Sequence, residues 1–352
     1  MLKSNFHKLA PVMAAALLVI GSPAAALSGA EEAAFEAEIG EARSKMMSHS
    51  AAALKHARNA TQIARGENTK AQKARLTARW LEAEALMRLN RANEASPIIK
   101  SALRETSASF EGSKLHADLL RSHGSLQARA GAFAEALSNF TDAEKLYQDI
   151  GEDRSRAIVL LSIGSLYSGA RDFEKALGHF TAAAQAFPND PALSLSIHNN
   201  SGNALKGLGR YSDAEREFTS ALSTQKAKSS PILKARILTN IASTQVMDRR
   251  TVEAEATAQE AMAIAQEHAP GWARFIDGVL AQIELRKGNL DIAQAYIERA
   301  FDGEDLATTA SHFREFHETA VVIYERAGRS AHTESHQAAL ERLDSQIAKL
   351  DA

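Results

Sequence analysis

The side chains of this 352-residue chain that could do chemistry fall into two groups, histidines near the C-terminus and amides and cations near the middle. His332 and His336 stand four apart, so on a helix both imidazoles could face one metal ion. Glu334 points away at that spacing, and no third ligand is evident. His312 and His317 flank Glu315, but they are five apart where four are needed to align two ligands on one helix face. No Gly-x-Ser-x-Gly elbow, phosphate loop or paired-carboxylate arrangement stands out in this glutamate-rich chain. The absence of cysteine removes disulfides, thiolate catalysis, Cys-based zinc sites and a lipid-bearing cysteine in one step. The expectation is a protein with no catalytic residues, no metal and no cofactor. A metal-dependent or hydrolytic enzyme using the C-terminal histidines is the alternative, and a self-associating structural protein is another.

The second group is polar and spaced along the centre of the chain: Arg121, Ser122, Ser125 and Arg129, then Ser162, Ser165 and Ser168, then Asn199, Asn200, Asn203 and Lys206, then Arg236, Asn240 and Ser243. A carboxamide both donates and accepts, which suits it to a peptide backbone, and arginine or lysine beside it favours carboxylates.

What positions these residues is a repeat. Good helix formers dominate and no long alternating Val/Ile/Thr-rich run suggests a sheet, so the chain is expected to be all-α. One column reads Ala95, Ala136, Ala176, Ala214, Ala254 and Ala293, at intervals of 41, 40, 38, 40 and 39 residues. Four residues beyond each alanine sits Ile99, Phe140, Phe180, Phe218, Ala258 or Ile297, and three further on comes Ala102, Ala143, Ala183, Ala221, Ala261 or Ala300, which makes one helical stripe. Twelve residues before each alanine stands a small residue of a partner helix: Ala83, Gly124, Gly164, Gly202, Ala242 or Ala281. Two antiparallel helices approach closely only where side chains are small, and the larger residue is expected to fill the gap made with the next pair. Short turns such as Gly131-Ala132-Phe133, Arg171-Asp172-Phe173, Gly209-Arg210-Tyr211 and Gly288-Asn289-Leu290 separate the helices of a pair.

This arrangement resembles the tetratricopeptide repeat, most fully at Gly164, Tyr167, Phe173, Ala176, Phe180, Ala183 and Pro188. The period of about 40 residues exceeds the usual 34 and is similar to the longer variant of kinesin light chains, the Leu-Gly-Asn-rich mitotic adaptors and some bacterial signalling proteins. The resemblance implies an α-α superhelix of about eight helix pairs over 31–352, best formed over 117–300 and closed by a polar-backed capping helix over 330–350, with no clear linker. It also implies that the first helix of each pair lines a concave groove. Asn200 and Asn240 then match the ladder position of the long-repeat adaptors, and the groove set is Arg121, Ser125, Arg129, Asn199, Asn200, Asn203, Lys206, Arg236, Asn240 and Ser243. The partner implied is another protein or an extended peptide, and the cations beside the asparagines favour an acidic one. The dicarboxylate clamp of chaperone-binding relatives is matched only in part and is not inferred.

The N-terminus carries Lys3, His7 and Lys8, a nearly unbroken apolar run from Leu9 to Ile20, then Gly21-Ser22-Pro23 and Ala24-Ala25-Ala26. This reads as a signal peptide over 1–26 with cleavage after Ala26, or secondarily after Ala30, and hence an exported protein, periplasmic or secreted. An uncleaved anchor is the alternative, although the run is shorter than the ~20 residues that span a bilayer comfortably, so no stable membrane insertion is expected after cleavage. Cleavage removes two lysines and no acid, leaving 39 basic against 43 acidic residues. The whole chain is formally at -2 with a pI near 6.7, so the basic footprint of a nucleic-acid or anionic-lipid binder is missing.

Overall fold

The computed structural model describes residues 27–308 and 311–348, and the expected signal segment over 1–26 lies outside them. All regular structure among the described residues is helical, and sixteen longer helices follow one another as eight helix–turn–helix pairs, the fold class of an α-α solenoid. None of these helices is long and apolar enough to cross a membrane.

The chain divides after Asn90 into two compact units. The first holds α1 (Gly29–Lys45), α2 (Ser50–Ile63) and α3 (Thr69–Arg88). Ser28 caps α1 by a reciprocal box, its hydroxyl accepting from the Glu31 N–H while the Glu31 carboxylate accepts from the Ser28 N–H at 2.7 Å. Ala53, Ala57 and Ala60, which extend the small-residue spacing backwards, are fully buried, with Phe35 and Ile39 of α1 also in the core.

The second unit opens with α4 (Ala92–Ser109) and continues as six pairs: α5 (Lys114–Arg129) with α6 (Phe133–Asp149), α7 (Asp153–Gly169) with α8 (Phe173–Ala186), and α9 (Pro191–Gly207) with α10 (Tyr211–Ser223). A single turn, α11 (Gln225–Lys228), leads to α12 (Pro231–Met247) with α13 (Thr251–His268), α14 (Ala273–Lys287) with α15 (Leu290–Ala300), and α16 (Arg314–Arg326) with α17 (Ser330–Ala348). Three of the first helices start where a side chain can take the free N–H groups: Ser113, Asp190 and Ser230 all accept from the first turn, and Pro191 and Pro231 fill positions that need no donor.

Within each pair the reversal is made by one residue in the left-handed conformation. Gly131, Arg171, Gly209, Arg249, Gly288 and Gly328 all have φ between 63° and 83°. The next residue's N–H reaches back to a carbonyl five residues earlier, as in Ala132 to Gln127, Asp172 to Tyr167 and Arg210 to Leu205, each at 2.9 Å. Each turn of the repeat is thus fixed by the same backbone motif.

The column alanines of the second unit, from Ala95 to Ala293, are all fully buried, as are Phe140, Phe180 and Phe218 to within 2 %. The large residue does more than fill the gap to the next pair. A Cβ added at Gly124, Gly164 or Gly202 would lie 2.5–2.8 Å from the ring of Phe140, Phe180 or Phe218, so each ring covers the glycine of its own pair. It also joins the following pair, since Phe140 shares a core cluster with Val159 and Ile163 of α7. Where the glycine becomes Ala242 or Ala281, the opposing residue shrinks to Ala258 or Ile297. Small and large are matched pair by pair.

Each second helix packs on the first helix of the next pair, and the first helices also touch one another in order, α5 to α7, α9, α12, α14 and α16. They form one continuous layer that carries the polar set singled out above. At the C-terminal end, Thr333 is buried while Gln337 is exposed, so α17 presents a polar back.

Candidate functional site

The polar residues of α9 and α12 come together. Asn240 donates through Nδ2 to Asn199 Oδ1 at 3.1 Å, and Asn199 donates to Asn200 Oδ1 at 3.3 Å. The side chain of Asn203, one turn on from Asn199, forms no hydrogen bond with another described residue. These asparagines are half-buried, so part of each carboxamide faces outward with donors and acceptors to spare.

Lys206, the last of the α9 set, is engaged across the layer. Its Nζ lies 2.7 Å from Glu315 Oε1 and 2.8 Å from Oε2, and donates to Ser243 Oγ at 3.1 Å. Ser243 donates to the same carboxylate at 3.2 Å. Glu315 belongs to α16, so the contact ties α9 to a first helix three pairs along the chain. Burial pushes the Glu315 carboxyl up, but the Lys206 charge, the two hydrogen bonds and Arg171 outweigh it and hold the group below the usual glutamate value. Beside it, burial raises Glu318. The sequence marked Glu315 only as a spacer between two histidines, and nothing local could reveal its partner.

The other expected groove cations have structural neighbours. Arg236 is exposed and its guanidinium sits 4.9 Å from the centre of the Trp272 ring, which donates its indole N–H to Thr239 Oγ1 at 3.0 Å. Arg121 lies within the electrostatic reach of Tyr147, whose buried hydroxyl donates to Asp118 Oδ1 at 2.7 Å; burial and Asp118 raise that hydroxyl's pKa and Arg121 opposes them. Arg129 is exposed at the end of α5. Several serines are turned back on their own helices: Ser125 donates to the Arg121 carbonyl, Ser162 to that of Ile158 and Ser165 to that of Leu161. The structure therefore gathers Asn199, Asn200, Asn203, Lys206, Asn240 and Ser243 into one region, and gives Arg121, Ser125 and Arg129 a separate place on α5.

The histidines form a different pairing from the one their sequence spacing suggests. His336 faces His317 of α16, with the two Nδ1 atoms 2.8 Å apart, and both rings are buried. Phe301 packs against both, with ring centres 4.6 and 4.7 Å away. One Nδ1 must carry a proton and the other must accept it. Burial lowers both imidazoles to about 4, reinforced at His317 by Arg342 and Arg314, and at His336 by His317 and His332. His332 instead packs on Tyr324 at 4.9 Å. No group of three or more His, Asp or Glu side chains arranged to hold a metal occurs among the described residues.

The sequence matches no protein-family model and no curated protein. Solved structures share its architecture. A Rap protein complexed with competence and sporulation factor is 14% identical, with 91% of this chain and 99% of that one aligned at a TM-score of 0.61. Aspartyl phosphate phosphatase F from Bacillus subtilis is 17% identical over 94% of this chain and 87% of its own, with a TM-score of 0.56. A tetratricopeptide repeat protein from Parabacteroides merdae is 15% identical over 87% and 99%, with a TM-score of 0.52. At these identities the likeness establishes the fold, an all-α repeat solenoid similar to those that Rap and tetratricopeptide repeat proteins build.

Proposed function

We propose that this chain is a non-enzymatic binding scaffold that holds an extended peptide segment of a partner protein along the first helices of its second unit. The observation that carries this reading is the run of carboxamides, Asn200, Asn199 and Asn240, bridging two adjacent first helices, with Asn203 beside it. An extended peptide offers alternating N–H and C=O groups, and a row of half-exposed amides can answer both. The fold shared with a Rap protein that was crystallised with a signalling factor supports a peptide as the ligand class. The histidine alternative draws no support from the geometry, because His336 meets His317 through Nδ1 and not His332, which packs on Tyr324.

In this reading the protein is exported by its N-terminal segment and works in the cell envelope or the medium. The mass of the mature N-terminus, isolated from fractionated cells, tests that part; a chain still beginning at Met1 in the soluble cytoplasm would contradict it. The groove is tested by capture of crosslinked partner with Asn200→Ala plus Asn240→Ala. Capture is expected to fall at least tenfold while helicity and melting temperature stay within a degree or two of the parent. Undiminished capture by the folded variant would remove the groove from consideration.

A further inference from the structure

The last helix of the second unit is held differently from the others. Helices α6, α8, α10, α13 and α15 each pack between two first helices, whereas α17 packs on α16. Over 331–345 it buries Thr333, His336, Ala339 and Leu343, with no counterpart of the ring that Phe140, Phe180 and Phe218 bring to α6, α8 and α10. In the middle of that stripe stands an imidazole. The His336 ring lies against His317, Phe301 and Tyr324, with ring centres 5.0, 4.7 and 5.6 Å away. Arg314 adds an ion pair to Asp344 at 2.5 Å, and Arg342 donates to the Leu306 carbonyl.

The imidazole couple that joins α17 to α16 has little capacity for protons. With the Nδ1 atoms 2.8 Å apart, the neutral pair shares one N–H on the line between them. Charging both rings puts two N–H groups head to head, so the contact cannot survive it. A single proton added to His317 with the contact kept falls on Nε2, which is buried without a partner among the described residues. The groups that face the couple are cationic or become so: Arg314 from α16, and Arg342 and His332 from α17. Phe301, at the end of α15, brings no charge, and Tyr324 of α16 brings a neutral hydroxyl. Acids on the surrounding elements are engaged by arginines, Glu318 and Asp344 by Arg314, Glu298 by Arg329, Glu304 by Arg274 and Asp277 by Arg299.

We propose that α17 is an acid-released cap: protonation of the imidazole couple detaches it from α16 while the preceding pairs of the unit stay folded. Once detached, each imidazole titrates near 6.5, whereas packing lowers both to about 4, so the open form binds more protons between those values. Opening is therefore favoured as pH falls through that window and is unaffected above about pH 7. At pH 5.0 the open form gains about 30-fold for each imidazole. The earlier pairs are sealed by Phe140, Phe180 and Phe218 over their glycines, contacts that carry no titratable group. Release bares Phe301, His317 and Tyr324, an end of the solenoid that neutral solution keeps covered.

The test is amide hydrogen exchange of the full chain, read by mass spectrometry at pH 7.5 and 5.0 and corrected for the intrinsic exchange rate at each pH. Protection of α17 is expected to fall by about 30-fold or more at pH 5.0, and that of α7 to α13 by less than about threefold. Unchanged protection of α17, or an equal loss in every helix of the unit, would overturn the proposal on the parent protein alone. Two variants identify the titrating group. Asp344→Asn is expected to leave the response in place, and a response that vanishes in it would assign the release to the carboxylate instead. His317→Leu with His336→Leu is expected to keep α17 protected at pH 5.0, and release that persists in this variant would also overturn the proposal.

Discussion

At the scale of single residues, the buried His317–His336 pair is where environment most alters chemistry. In the unfolded chain each imidazole titrates near 6.5, but in the folded protein both are lowered to about 4. The unfolded state therefore binds more protons between those values, and stability must fall as pH drops through that window. Above about pH 7 both rings are neutral in either state and the effect vanishes. The full penalty is up to about 3 kcal/mol per site. Replacing both residues, His317→Leu with His336→Leu, is expected to flatten the dependence of melting temperature on pH between 6.5 and 4.5. Calorimetric curves for parent and variant that run parallel over this interval would show that the histidines do not carry it. The sequence displayed these residues but pointed to the wrong couple, because His332 and His336 are neighbours along a helix whereas His317 and His336 meet only when α16 and α17 pack.

At the scale of the helix pair, stability is concentrated where a glycine receives an aromatic ring. A Cβ at Gly164 would come within 2.5 Å of the Phe180 ring and 3.1 Å of the Ala176 carbonyl, leaving no room on the backbone side. Gly164→Ala is expected to cost about 1–2 kcal/mol net, the overpacking penalty less the helix propensity gained. Adding Phe180→Ile, which copies the Ala281 and Ile297 match, should recover part of that loss, and a double-mutant cycle by urea denaturation would expose the coupling. Gly178→Ala is the internal control, since nothing lies within 4 Å of its Cβ position on α8. It is expected to stabilise by about 0.5–1 kcal/mol. Additive effects at Gly164 and Phe180 would mean that the ring does not seal the glycine as described. The small-residue columns were legible from the sequence because their spacing along a helix translates directly into facing positions, whereas the place of the ring over the glycine of its own pair was not, since the spacing pointed it to the next pair.

At the scale of the molecule, the second unit bends its first-helix layer until α9 and α16 share an ion pair. Lys206 and Glu315 are 109 positions apart in sequence. The Glu315 side chain keeps 40% of its exposure, so water screens the pair and Glu315→Gln should cost no more than about 1 kcal/mol in global stability. Its effect should appear in local opening instead, as faster amide hydrogen exchange in α16 and the C-terminal turns of α9. Exchange that is unchanged in both helices would show that the pair is incidental to the layer. The same contact sorts the cations of the inner layer into two kinds. Lys206 is satisfied within the chain, while Arg249, Arg286 and Arg326 line one cavity at its surface.

The amino-acid sequence by itself determined the helical class, the forty-residue period, the turns and the buried small-residue columns. Each follows from local spacing, since a helix puts residues three and four apart on one stripe and a left-handed turn residue ends it at a fixed register. Tertiary structure decided the division after Asn90, the Lys206–Ser243–Glu315 bridge, the histidine couple and the gathering of Arg249, Arg286 and Arg326 around one cavity. Those depend on how many pairs separate two side chains and on the small rotation from each pair to the next. Rotation accumulates over the whole unit and leaves no periodic mark in the sequence.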